Sequence, residues 1–531
     1  MNVLPAGQSA ADASVVELPR ERAASRARGL LQAILDGSAA GAKADARAST
    51  LELFLRAKSP AEALRLWTAE ELTRETAPDI SSQLSRDIAS VDQLLADQVN
   101  QLLHHPRLQR LEASWRGLAH LVQQASDARE SMHSERQDSD IKIRVLSLTK
   151  RELARDLENA VDFDQSQLFK RVYSDGFGIL GGEPLGVLIG DYQFAHQIDR
   201  EHRVDDVATL RRVSEVAAAA FCPFISAAAP ELFALDEFRL FEQPIELAPV
   251  FRQPEYIKWQ SFRESDDAQF IGLTAPRVLM RLPYEDDGGR RDGFRFEERV
   301  GDPSGDNYLW GNAAFAFGGV LVRAFGASRW FAEIRGLSRP AVAGGEVVGM
   351  DADWSRPEAR HLVPKSLTEV AIDEERQREL AELGIIPLCA MPHSPRAVFY
   401  TNASAHKPKK YVDPVATANA KLSAMLQYVM CAARFAHYLK VIARNKLGNV
   451  ADAQQLEDLL NEWLSRYVTS DALAPAETKA RFPLREKQLR VEEQPGRPGH
   501  FRMVMHLLPH YQLDDLKASL RLTTSIGPGS E

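Results

Sequence analysis

Residues 185–225 read LGVLIGDYQFAHQIDREHRVDDVATLRRVSEVAAAAFCPFI, and this stretch decides the fold class. It opens on an apolar run, Leu185-Gly186-Val187-Leu188-Ile189, of the kind a buried strand shows. Asp205-Asp206 then suit the first turn of a helix, through which Val207, Leu210, Val213 and Ala217 recur on one face as far as residue 220. Phe224-Ile225 begin another short strand. Strands separated by a helix of this length predict a layered α/β domain.

The pattern extends upstream. Ile141, Ile143, Val145 and Leu148 form a β-rich run, and Thr149-Lys150-Arg151-Glu152 open a helix with a capping box. Two long helices precede it. Residues 79–104 carry Ile80, Leu84, Ile88, Val91, Leu95, Val99 and Leu102 at steps of three and four, and His104-His105-Pro106 ends them. Residues 107–124 place Leu108, Leu111, Trp115, Leu118 and Leu121 on one face, so a helical hairpin packed on the body is expected. Ser59-Pro60-Ala61-Glu62 has the form of a capping box with proline at the first helical position, opening a helix that buries Leu64 and Trp67. Before it come a disordered stretch (1–19), a short amphipathic helix (20–36) and a small-residue linker, Gly37–Ala48.

Downstream, residues 286–306, 344–357 and 404–413 read as surface loops. A long helix over about 414–447 and another over 451–468 follow. The end is β: Leu489 and Val491 alternate with polar neighbours, and Phe501, Met503, Met505 and Leu507 share a strand face. A turn at Pro495–Gly499 separates these two strands, and Leu516, Ala518, Leu520 and Leu522 share a face of a third. The fold class is therefore α/β of mixed α+β character. It comprises a flexible helical arm over 1–78, a layered α/β body over 79–370, and a C-terminal domain over 371–531 ending in antiparallel strands.

With 531 residues, about two to four domains are expected. Hydrophobic residues at 44% and charged residues at 26% fit a chain with a large core. The net charge of −9 argues against nucleic-acid binding. Asp12 and Glu17 interrupt the N-terminus where a secretory signal needs apolar residues, and no run reaches a bilayer span, so a cytoplasmic protein with no membrane insertion is expected. Cys222, Cys389 and Cys431 sit among apolar residues and read as buried thiols.

Enzyme signatures are missing. Gly176-Phe177-Gly178-Ile179-Leu180-Gly181 matches the dinucleotide fingerprint in letters only. A helical stretch precedes it and a strand follows, the reverse of the order that aims a helix N-terminus at a pyrophosphate. No phosphate loop, HExxH, CxxC or GxSxG occurs, so no catalytic residue, cofactor or metal is assigned. The Lys407–Lys410 run reads as a solvated loop before it reads as a site for an acidic partner.

Long blocks carry more information. They include LEASWRGLAHLV (Leu111–Val122), FGILGGEPLGVLIGDYQF (Phe177–Phe194) and VAAAAFCPFISAAAPELF (Val216–Phe233). KPKKYVDPVATANAKLSAMLQYV (Lys407–Val429) and RFAHYLKVIARNKLG (Arg434–Gly448) follow, and PGRPGHFRMVMHLLPHYQLDDLKASLRL (Pro495–Leu522) closes the series. In this order they resemble the large subunit of the type VI secretion contractile sheath, the TssC/VipB/ImpC family, over roughly residues 80–525. Residues 1–78 match less well, which is compatible with a paralogous copy.

The resemblance implies a structural protein and no enzyme. Its partners would be a small sheath subunit of the TssB/VipA type, neighbouring heterodimers, an inner tube of Hcp-type hexamers, a baseplate, and an AAA+ disassembly ATPase of the ClpV type. GLLQAIL (Gly29–Leu35) resembles the N-terminal helix that the ATPase grips, with Leu30, Leu31, Ile34 and Leu35 on its apolar stripe. Leu516, Ala518, Leu520 and Leu522 are expected on a strand exchanged between subunits. The sheath of another contractile, phage-tail-like system is the alternative.

Overall fold

A computed structural model describes residues 53–68, 77–131, 141–179, 182–199, 202–286, 293–300, 307–338, 343–350, 353–357, 364–391, 394–446, 453–471, 474–493, 501–510 and 520–526. The chain divides into two compact units, residues 1–99 with 286–296, and residues 100–285 with 297–531.

The first unit holds α1 (Pro60–Thr68) and most of α2 (Ala77–Leu103). Ser59 Oγ accepts the Glu62 N–H at 3.2 Å, as a cap should. The Glu62 carboxylate reaches back to the Lys58 N–H at 3.1 Å, one residue before the expected one. Leu64 and Trp67 are half-buried, not buried, because α1 is short and covered on one side only. The Trp67 indole donates to Asp87 at 2.9 Å, and its ring lies 5.2 Å from that of Phe54.

The second unit is built on a five-stranded sheet in spatial order β1 (Leu188–Phe194), β2 (Phe224–Ala228), β3 (Ile271–Ala275), β4 (Ile385–Ala390), β5 (Ala397–Phe399). The first four strands are parallel and β5 returns antiparallel. The sheet takes strands from both sides of residue 370, where the sequence had suggested a division. β2 and β3 are buried along their whole length, as parallel strands covered on both faces are. β1 starts at Leu188 and is only half-buried, because it is an edge strand.

Alternate residues feed two cores. Phe224, Ala228, Ile385 and Cys389 face one core, shared with Val207, Leu210, Val213 and Ala217 of the helix Asp206–Ala220. Ile225, Ile386 and Leu388 face the other. The second core is closed by two packed helices, α3 (Pro106–Ser131) and the apolar helix Ala313–Ser328. Between α3 and β1 in the chain comes α4 (Lys150–Asn159), whose capping box is complete: Thr149 caps the Glu152 N–H, and Glu152 returns to the Thr149 N–H at 2.9 Å.

Two expectations need correction. Residues 353–357, inside the expected loop 344–357, pair antiparallel with Pro364–Lys365. The helix expected over 414–447 is two helices, Pro414–Ser423 and Leu426–Lys446. The reason lies in the preceding segment, whose residues Asn402, Ser404 and Ala405 are buried. The Ser404 N–H and hydroxyl both donate to the Ala424 carbonyl, and the Leu426 N–H donates to the Asn402 carbonyl at 2.9 Å. Buried backbone groups of the segment thus take partners that a continuous helix would have used internally. Lys407 and the later part of the segment, Lys409–Asp413, are exposed.

Among the described residues, no helix is long and apolar enough to cross a membrane.

Candidate assembly surfaces

Three surfaces of the second unit leave groups that a folded chain normally covers. The first is α3. Its buried side is made of Ala113, Gly117, His120, Leu121, Gln124 and Ala128. Small residues are required there, since a Cβ on Gly117 would lie 2.3 Å from the Phe315 ring, and one on Gly319 would lie 2.4 Å from His120 Nε2. The larger apolar residues point the other way. Leu111 is 56% exposed, Trp115 65% and Val122 53%, with Leu108 beside them. Of the face predicted for the core, only Leu121 is fully buried and Leu118 half-buried.

The start of α3 is clamped by charge. Arg281 Nε donates to Glu112 Oε1 at 2.7 Å, while Nη1 and Nη2 donate to the two Glu298 oxygens at 2.5 and 3.1 Å. Burial opposes ionisation of Glu112, but hydrogen bonds from Arg281 and Arg116 outweigh it and hold the carboxyl below its usual range. His104, one of the adjacent histidines at the end of α2, lies 3.3 Å from Glu298.

The second surface is the C-terminal sheet, β6 (Leu484–Glu493), β7 (Phe501–Pro509) and β8 (Leu520–Ile526), antiparallel in that order. Leu489, Val491, Phe501, Met503, Met505 and Leu507 are buried, as their alternation predicts. The free edge of β6 is capped by the helix Ala453–Ser465. Glu457 accepts the Val491 N–H at 2.8 Å, Asn461 donates to the Leu489 carbonyl at 3.3 Å, and Lys487 donates to the Asn461 carbonyl at 2.6 Å. β8 forms the opposite edge. Leu520 and Leu522 stand in register with Leu507 and Met505 of the same chain, whereas Leu516 and Ala518 lie outside the described residues. The described part of the strand runs from Leu520 to Ile526.

The third surface is residues 141–148. Their β-forming residues suggest a strand, yet among the described residues they join no helix and no sheet.

Groups that could carry chemistry have structural partners instead. Lys150 Nζ donates to Asp206 at 2.9 Å, and His202 Nδ1 lies 2.9 Å from the same carboxylate. Burial lowers the His202 pKa, yet hydrogen bonds with Asp206 and Glu231 overcome that and raise it to about 9. Cys222, Cys389 and Cys431 are all buried and free, and burial pushes the Cys389 and Cys431 thiols up to about 12. Gly176–Ile179 form a turn after a helical stretch, and residues 182–187 lead into β1, so among the described residues no helix starts at these glycines. Among the described residues, no group of three or more histidine, cysteine, aspartate or glutamate side chains is placed to hold a metal. Leu30, Leu31, Ile34 and Leu35 lie outside the described residues.

Two family models match the chain in sequence. Residues 85–406 match the EvpB/VC_A0108 tail sheath N-terminal domain, and residues 415–526 match the EvpB/VC_A0108 tail sheath gpW/gp25-like domain. The chain is 37% identical over 466 residues to the type VI secretion system sheath protein TssC1 of Pseudomonas aeruginosa, covering 87% of this chain and 90% of that protein. The crystal structure of a sheath tail protein from Desulfitobacterium hafniense aligns with a TM-score of 0.30 at 8% identity, over 63% of this chain and 57% of that one.

Proposed function

The chain belongs to the EvpB/VC_A0108 tail sheath family, the large sheath subunits of type VI secretion systems, and we propose that it is the force-transmitting unit of a cytoplasmic contractile cylinder. In this role it pairs with a small sheath subunit, and the heterodimers stack around an inner tube of Hcp-type hexamers on a baseplate. Contraction rotates and compacts the subunits and drives the tube outward. A ClpV-type AAA+ ATPase then takes the contracted sheath apart. No bond is made or broken by the chain itself.

The observation that carries this proposal is the outward apolar face of α3. Trp115 at 65% exposure, flanked by Leu111 and Val122, is an apolar stripe that a solitary soluble chain would not be expected to keep uncovered. We assign it to the small subunit. The β8 edge is suited to pairing between neighbouring heterodimers, because backbone ladders persist while the bodies they join rotate. Leu516, Ala518, Leu520 and Leu522 are proposed as the exchanged strand, and Leu30, Leu31, Ile34 and Leu35 as the grip for the ATPase.

The test is expression alone and together with the small sheath subunit of the same system, followed by electron microscopy. Alone, the chain is expected to aggregate or be degraded. Together, the two should form long cylinders with cogwheel-like ends. A monodisperse monomer that ignores the small subunit would overturn the proposal.

A further inference from the structure

Val412 and Val161 are the two most exposed large apolar side chains among the described residues, the first fully exposed and the second 77% so. Each stands among charges of one sign. Val412 follows Lys409, Lys410 and Tyr411, all exposed, and the exposed Val415 comes three residues later. Val161 follows Glu158 and precedes Asp162 and Asp164, and these three acids are exposed too. Among the described residues, neither the two lysines nor the three acids form an ion pair or a side-chain hydrogen bond. Both clusters are held in shape by their own chain. The Lys407 N–H donates to the Arg263 carbonyl at 2.7 Å, and the Tyr411 N–H donates to Thr417 Oγ1 at 2.9 Å. Asp413, the acid next to these lysines, is taken up as the cap of the helix Pro414–Ser423, where it accepts the Val415 N–H at 3.0 Å. On the acidic side, Asp156 of α4 accepts the Gln167 and Leu168 N–H groups at 3.0 Å each, which closes the turn that carries Val161.

Building on the sheath proposal, we infer that the Lys409–Val412 knob of one chain docks on the Glu158–Asp164 turn of a second copy of this chain in the neighbouring heterodimer. Charge complementarity selects that occupant, because the chain itself supplies both halves on different elements: a basic tip and an acidic turn, each with an exposed valine. The two halves differ, so the contact is heterologous and repeats from copy to copy, as an open-ended cylinder needs. Burial of Val412, Tyr411 and Val161 supplies the affinity, whereas the exposed charges fix register and orientation and add little energy by themselves. Loops already fixed by their own hydrogen bonds lose little entropy on docking.

The test uses cylinders assembled from the full chain and the small subunit. Val412→Cys and Val161→Cys, placed together in one chain, should be joined between copies by a short bis-maleimide, giving a ladder of multimers on a denaturing gel. Either substitution alone should give no ladder. Cys222, Cys389 and Cys431 are buried and stay out of the reaction. Both valines are exposed, so their replacement should leave folding intact. Charge reversal adds the second readout. Lys409→Glu with Lys410→Glu should raise the concentration needed for cylinders by about tenfold or more and leave the heterodimer intact. Adding Asp162→Lys and Asp164→Lys to the same chain should restore assembly. A link to the small subunit, a link within one chain, or cylinders that form with no link between copies would each overturn this contact while the sheath proposal stands. Reversed chains that assemble normally, or that the added lysines fail to rescue, would do the same. If the unsubstituted chain forms no cylinders with the small subunit, the sheath proposal falls and this contact with it.

Discussion

Trp115 and His202 are two residues whose roles the sequence could not separate from packing. Trp115 recurs at helical spacing with Leu111 and Leu118, the usual mark of a core face, yet its side chain is mostly exposed. Trp115→Asp should therefore change the stability of the chain by no more than about 0.5 kcal/mol, as an exposed substitution does. The same variant should lose co-purification with the small subunit, measured by affinity pull-down beside a thermal melt. Asp206 reads in the sequence only as a first-turn acid. Its partner Lys150 lies 56 residues away, so no local pattern points to the buried cluster it forms with His202. For His202 the folded pKa of about 9 stands above the ordinary value of 6.5. Its contribution is fully present below pH 6.5 and lost as pH rises through about 9. His120 and His437 run the other way. Burial takes both down to about 4, so what they contribute is present above pH 6.5 and lost as pH falls toward 4. The melting temperature should thus fall on either side of neutral pH. His202→Gln should remove the alkaline limb and leave the acid limb; an unchanged alkaline slope would sink the assignment.

At the scale of elements, periodicity located α2, α3, the helix Asp206–Ala220 and strands β6 and β7, but it pointed to no strand at β3, β4 or β5, to no helix at Ala313–Ser328, and to nothing of what covers the elements. α2 and α3 fall close to their predicted spans, and β6 and β7 keep the predicted faces, because side-chain spacing is a local property. The break at Ala424 escaped notice because it is made by Asn402 and Ser404, buried residues of a segment whose composition looked like surface loop. The buried side of α3 was missed for a related reason: glycine and alanine carry little hydrophobic signal, yet they allow the closest helix contact. Gly117→Val should accordingly force the Phe315 ring aside and cost about 1–3 kcal/mol, seen as a lowered melting temperature of the purified complex. β8 offers a different test. Leu520→Pro removes a backbone donor from an edge strand, so heterodimers should survive while long cylinders disappear. Sheaths of normal length from this variant would show that β8 does not link neighbours.

For the whole molecule, the proposed recycling of the sheath would need a segment an ATPase can grip, and we propose residues 20–36 for it. Ala23, Ala27, Leu30, Leu31, Ile34 and Leu35 fall on a single stripe when residues 20–36 are set on a helix, with Arg20, Arg22, Arg26 and Arg28 mainly around the rest. In the sequence, the small-residue stretch Gly37–Ala48 lies between this stripe and α1, a composition that suits a tether to a partner. Anchors spaced three and four apart are what a helix-binding groove reads. Gly29 costs an isolated helix about 1 kcal/mol relative to alanine, which favours folding upon binding over a preformed helix. We therefore expect Leu31→Asp with Ile34→Asp to leave assembly and contraction intact, since a small-residue linker follows the segment in the sequence. Disassembly should fail instead, because two carboxylates would have to be buried without partners in the ATPase groove. Contracted sheaths should then accumulate when the double variant is mixed with the ClpV-type ATPase and ATP and followed by electron microscopy or light scattering. Disassembly at the normal rate would remove this segment as the recycling signal, whatever the fate of the sheath assignment itself.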